Sequence, residues 1–259
     1  MSGDDAPLFD RFTLYFDFLG TSDATGWPKE RLYPFLDLLI SIAQIQSEQD
    51  IAGNPQEDGS YRIRITPEVT TFSDNIVVSY PSFEDEMSVS SDVPKHLRFE
   101  AYWAKFICQD AIRVLSAVAE MGLRIGVLVR GGFTLGQLHH DKGVVFGEAL
   151  VEASRIEKRE ANYPRVLVSE RIIEKPDGIP ETDRAFLLQD IDGRSHLNYF
   201  AEMIRHSSDG PMNDKQMHRW KEAHLATING AIKALAHNPD RRGKWIWFKG
   251  RFEEAYPRV

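Results

Sequence analysis

From Phe12 to Leu19 the chain runs almost unbroken through apolar, aromatic and β-branched residues and then stops at Gly20, the pattern of a buried strand opening into a loop. After Gly26 and Pro28, the residues Leu32, Phe35, Leu36, Leu39, Ile42 and Ile45 recur at helical spacing, and the turn-rich stretch from Gly53 to Gly59 ends that element. Tyr61 to Thr71 and Asn75 to Ser79 are rich in β-branched residues and are separated by little more than Ser73 and Asp74. This predicts a hairpin with Asp74 in its bend. An acidic loop, Ser82 to Pro94, leads into a helix with Phe99, Trp103, Phe106, Ala111, Val114 and Val118 on one face, ending at Gly122.

A further strand is expected over Leu123 to Val129, continuing through Arg130-Gly131-Gly132 and folding back near His139 and His140 into Gly143 to Phe146. A short helix follows Gly147, and Tyr163 to Ser169 and Arg184 to Asp190 read as strands, the second preceded by a loop from Lys175 to Asp183. Beyond Asn213 the period becomes helical, with Trp220, His224, Leu225, Ile228, Ile232 and Leu235 on one face, then Trp245, Trp247, Phe248 and Phe252. The expected fold is α/β, a central sheet containing antiparallel pairs and flanked by helices. Residues 1–212 form the main domain, and 213–259 form a helical extension packed on it or on a dimer partner.

Composition narrows the function. A 42% hydrophobic content over 259 residues supports a substantial core, and a net charge of −8 argues against a general nucleic-acid binder, which needs a basic surface. The lone Cys108 excludes an internal disulfide. The acidic N-terminal segment lacks the basic and apolar regions of a signal peptide, and no apolar run approaches membrane-span length, so a cytoplasmic location without stable membrane association is expected.

Asp17 is an ionisable residue inside a strongly apolar strand, followed by the small-residue loop Gly20-Thr21-Ser22. Such a carboxylate calls for a partner. A divalent cation would supply one, and the loop amides could meet phosphate oxygens; the bland alternative is a turn cap. Asp74 in its bend is unremarkable alone, but two carboxylates on neighbouring strand ends would hold one or two Mg²⁺ or Mn²⁺ ions against a triphosphate. Arg130 is a candidate for the phosphate or base, or else a surface ion-pair partner. His139 and His140 lack a third ligand nearby, which favours a structural role over zinc.

With Arg-Gly-Gly-Phe-Thr-Leu-Gly at Arg130 to Gly136 and Val-Phe-Gly-Glu-Ala-Leu-Val-Glu-Ala-Ser-Arg at Val145 to Arg155, these motifs resemble, in order, the class III nucleotide cyclases. The resemblance covers roughly residues 10 to 190. By position it implies that Asp17, Asp74 and the carbonyl of Phe18 hold two Mn²⁺ or Mg²⁺ ions. It implies that Arg155 bears transition-state charge, and that a homodimer builds each active site across its interface. The plain alternative for Arg155 is an exposed ion-pair ladder with Glu148, Glu152 and Arg159.

The departures matter. Val151 stands where the family carries a ribose-positioning asparagine, and Val144 and Glu68 fall where adenylate cyclases read adenine. With Tyr163-Pro164-Arg165 and the helical tail, the chain is similar to the pyrimidine cyclases of the Pycsar anti-phage system. That resemblance implies UTP, or alternatively CTP, as substrate and a separate effector responding to the cyclic product. Lys244 and Lys249 are loose candidates for a triphosphate lysine. The tail aromatics read as core or dimer contact, not as a base-stacking platform. A non-catalytic sensor, motivated by Val151, and a palm-like polymerase or diguanylate-synthase relative are the rivals; the chain lacks the signature of the latter.

Overall fold

The computed structural model describes residues 8–44, 49–51, 63–65, 67–82, 100–173, 186–206 and 212–256. The strand predicted from Phe12 is β1 (Phe9–Leu19), and it leads to the helix α1 (Lys29–Ala43). Two short strands, β2 (Gln49–Ile51) and β3 (Ile63–Ile65), pair with each other, and the hairpin of β4 (Glu68–Phe72) and β5 (Asn75–Pro81) follows. Next come the long helix α2 (Glu100–Arg124), the long strand β6 (Leu128–Asp141) and its return β7 (Val144–Phe146). The chain continues through α3 (Glu148–Arg159), β8 (Val166–Val168), the single turn α4 (Glu170–Ile173), β9 (Leu187–Gln189) and β10 (Ser195–Leu197). The tail forms α5 (Asp214–Ala234) and α6 (Pro239–Ala255).

The main sheet runs β4-β5-β1-β6-β8-β10-β9, with β7 on β6. It is mixed, because β6 and β8 are parallel while the other pairs are antiparallel. A central mixed sheet flanked by helices is therefore the fold, as the alternation of periods led one to expect.

The alternation along β1 assigns its two faces. Phe12, Leu14, Phe16 and Phe18 join the core shared with α1 and α2, while Tyr15 faces Ala153 of α3 on the other side. Each such large side chain removed from water contributes about 1.5–3 kcal/mol. Asp17 lies in the odd set with Tyr15, so the register alone turns it away from the main core.

The two glycines after Arg130 have a packing reason. Gly132 lies opposite Tyr15, and a Cβ there would sit 2.5 Å from the Ala153 carbonyl and 2.8 Å from Cβ of Ile156. The bare backbone of Gly132 lets α3 lie close on the sheet, whereas a Cβ at Gly131 would run into Tyr15 and Phe16 of β1.

Several boundaries differ from expectation. The helix over Gly122 continues to Arg124, and the chain turns at Gly126 (φ 75), so residues 123–127 are not strand and β6 begins at Leu128. Helical packing of Leu123 against the core outweighs the local β-branched signal. On α1 the buried residues are Phe35, Leu38 and Ile42, and Leu36 is exposed. β10, with its polar Ser195 and His196, escaped the pattern. The stretch from Gly53 to Gly59, most of the acidic loop and the Lys175 to Asp183 loop lie outside the described residues.

In the tail, Trp220, Leu225, Ile228, Trp245, Phe248 and Phe252 belong to the same core cluster as Phe16. The Tyr-Pro-Arg motif ties α6 to the sheet. Arg165, 1% exposed, pairs with Asp190 and Asp192; Asp190 also accepts from Arg251 (2.8 Å) and Trp247 (3.2 Å), and Tyr163 stacks on Trp247. A buried charge network of this kind fixes geometry more than it adds stability. Among the described residues no helix is long and apolar enough to cross a membrane.

Candidate active site

One end of the sheet is built around Asp17. On β1 it lies between Asn75 of β5 and Arg130 of β6 in register. Arg130 donates to both carboxylate oxygens, Nε to Oδ1 at 3.1 Å and Nη2 to Oδ2 at 3.0 Å, and also ion-pairs with Glu157 of α3. Arg130 is thus the internal counter-ion of Asp17.

Glu157 is almost fully buried, and burial together with the Asp17 charge pushes its carboxyl up to about 7. Burial, then the neighbouring carboxylates, likewise raise the Tyr15 phenol; that phenol donates to Oδ1 of Asn75 at 2.6 Å.

Asp74 stands in the two-residue turn between β4 and β5, where Ser73 takes a φ of 62. The hydroxyl of Thr21 lies 2.8 Å from the Phe18 carbonyl and 2.5 Å from Oδ2 of Asp74. One proton cannot satisfy both oxygens at once. The Asn75 amide reaches Oδ1 of Asp74 at 3.2 Å. Two acceptors therefore converge on one donor, at the end of the strand that carries Asp17.

Asp17, Phe18, Gly20, Thr21, Ser22, Asp74 and Arg130 all line one cavity of about 530 Å³. It is also lined by Arg31 of α1 and by Arg241, Lys244 and Trp245 of the tail. This volume suits a nucleotide-sized ligand.

The oxygen donors fit a hard divalent ion. Two carboxylates and a main-chain carbonyl are the ligand type of Mg²⁺ or Mn²⁺, with water or substrate oxygens completing the shell. Among the described residues no group of three or more His, Cys, Asp or Glu could hold a metal, so any ion here rests on this smaller set and would compete with Arg130 for the Asp17 oxygens.

Arg155 lies elsewhere. Its side chain is 43% exposed, bonds Glu152 at 2.9 and 3.0 Å and Glu160 at 2.5 Å, and is not part of the cavity wall. The ion-pair ladder is realised for Glu152, whereas Glu148 pairs with Arg171. Val151, one turn before Arg155, is 68% exposed, and Val144 and Phe146 are also exposed. Glu68 is exposed on β4 and Val144 on β7, neither facing the cavity.

His140 is structural. Its ring nitrogens meet Thr70 and Ser79 hydroxyls at 2.8 Å each, and burial pushes its pKa down to about 4, so the ring is neutral and spoken for. What the sequence reading missed is Glu157, Arg31 and Arg241. Lys249 does not reach the cavity, while Lys244 does.

No protein-family model matches the chain, and no curated protein matches it. Among solved structures, a bacterial light-regulated adenylyl cyclase aligns with a TM-score of 0.40 and 12% identity, over 85% of this chain and 58% of that one. The chain spans less than two thirds of that protein, and a likeness of this extent carries no argument about family or activity.

Proposed function

We propose that this chain is a metal-dependent nucleotide cyclase that converts UTP, or alternatively CTP, to the 3′,5′-cyclic monophosphate and pyrophosphate. The observation that carries the reading is the convergence of Asp17, Asp74 and the Phe18 carbonyl at one strand end, on the wall of a nucleotide-sized cavity. Mn²⁺ or Mg²⁺ bound there would supply Lewis-acid polarisation of the α-phosphate and acidify the 3′-hydroxyl.

In the proposed reaction the 3′-hydroxyl loses its proton to water and its oxygen attacks the α-phosphorus in line, a P–O bond forms, and the bond to the departing pyrophosphate breaks. Asp17 and Asp74 hold the cation-binding oxygens, and the Gly20-Thr21-Ser22 loop lies where phosphate oxygens would pass. Arg155 stabilises charge on the phosphate from the partner protomer of a homodimer. Its position outside its own cavity agrees with that division, and exposed Val144, Phe146 and Val151 offer an apolar face for pairing. The cyclic product would serve, in the cytoplasm, as a second messenger for a separate effector in anti-phage defence.

The mixing experiment tests this directly. Asp17→Ala and Arg155→Ala proteins, each inactive alone, are expected to regain pyrophosphate release when combined, because a mixed dimer holds one intact site. Mixtures that stay inactive, with mixed dimers shown by mass spectrometry, would reject the shared site. A non-catalytic nucleotide sensor is the second reading, favoured by the Arg130 grip on Asp17 and by Val151.

A further inference from the structure

The tail helix α6 places two cations on the cavity that the carboxylates line. Nη2 of Arg241 donates to Oγ of Ser22 at 3.0 Å, and Lys244 lines the cavity one helical turn later. The other two cations there are already engaged. Arg130 is bonded to Asp17 and Glu157, and Arg31 stacks 3.6 Å over Trp27 and donates to the Ile125 and Gly126 carbonyls. Among the described residues neither Arg241 nor Lys244 pairs with a carboxylate within ion-pair distance. Burial, then the proximity of Arg130, lowers the pKa of Lys244, so this ammonium sits close to the Asp17 site and partly out of water.

A chain of net charge −8 therefore concentrates Arg31, Arg130, Arg241 and Lys244 against Asp17, Asp23 and Asp74 in one cavity. Divalent ions at the carboxylates would make it more positive still. The complement is a compact polyanion. Rigidity supports the same conclusion, since Trp245, Phe248 and Phe252 anchor α6 in the core and the Arg251, Trp247 and Asp190 knot pins its outer side.

From this geometry we infer that α6 is the polyphosphate-binding wall of the cavity, with Lys244 and Arg241 gripping the terminal phosphates while the Gly20-Thr21-Ser22 loop faces them. The inference rests on the cyclase reading for the nucleotide carrying those phosphates. It adds that the C-terminal helix determines the preference for a triphosphate over a monophosphate. Arg242, the next residue on α6, is exposed and off the cavity, and serves as the charge-matched control.

The test is calorimetric titration of inorganic tripolyphosphate into the full-length protein with Mg²⁺ present. Loss of one charge-assisted contact is worth about tenfold, so Lys244→Met should raise the Kd about tenfold and Arg241→Gln by a comparable factor, with Arg242→Gln within about twofold of the parent. Unchanged melting of the variants excludes misfolding. No binding by the parent protein, no change in Lys244→Met, or an equal loss in Arg242→Gln would overturn the inference. Tripolyphosphate held through Lys244 with no cyclic product from any nucleotide would sink the cyclase reading alone. Cyclic product from Lys244→Met at an unchanged KM would sink the polyphosphate wall alone.

Discussion

Asp74→Ala is expected to lower Mn²⁺-dependent release of pyrophosphate from UTP by at least about a thousandfold, while leaving the fold intact. The residue sits half-buried in a two-residue turn, and its loss frees the Thr21 hydroxyl to bond the Phe18 carbonyl alone. Stability should therefore change by no more than about 1 kcal/mol. Without that carboxylate, the cation-binding set shrinks to Asp17 and one carbonyl. Retention of turnover in a folded Asp74→Ala protein would mean that the reaction, if any, does not pass through this strand end.

Arg130→Gln is expected to bind Mn²⁺ about tenfold more tightly than the parent, measured by electron paramagnetic resonance of the free ion. The guanidinium makes two bonds to Asp17, and a charge-assisted pair of this kind is worth about 1.5–3 kcal/mol. A cation would compete with it for the Asp17 oxygens, and Glu157 is the carboxylate that Arg130 already pairs with besides. Removing the guanidinium removes the competitor. Weaker Mn²⁺ binding in the variant would show the opposite role, in which Arg130 orients Asp17 for the ion.

The sequence carried the sheet and the two aspartates because each announces itself locally. Asp17 interrupts an apolar run, and Asp74 falls between two strands whose period is plain. The hairpin of β6 and β7, the α3 helix and the tail helices were legible for the same reason. What local pattern cannot show is register across strands, and register is what sets Arg130 opposite Asp17. Glu157, beside Lys158 and Arg159, has the look of a solvated helix end, yet the close approach of α3 at Gly132 buries that face. Lys244 and Arg241 reach the cavity only because Arg165 and the tail aromatics dock α6 more than two hundred residues downstream of Asp17.

Arg165 shows the same limit from the other direction. The Tyr-Pro-Arg motif stood out by resemblance, but its arginine is 1% exposed and engaged with Asp190 and Asp192, where it positions the tail and does not face the cavity.

The most direct measurement is mass identification of the products formed when the purified protein is incubated with Mn²⁺ and each of the four ribonucleoside triphosphates. The expected result is 3′,5′-cyclic UMP with pyrophosphate, or cyclic CMP under the alternative substrate. Cyclic AMP or cyclic GMP would contradict the pyrimidine assignment drawn from Val144 and Glu68, and the absence of any cyclic nucleotide would contradict the cyclase account itself.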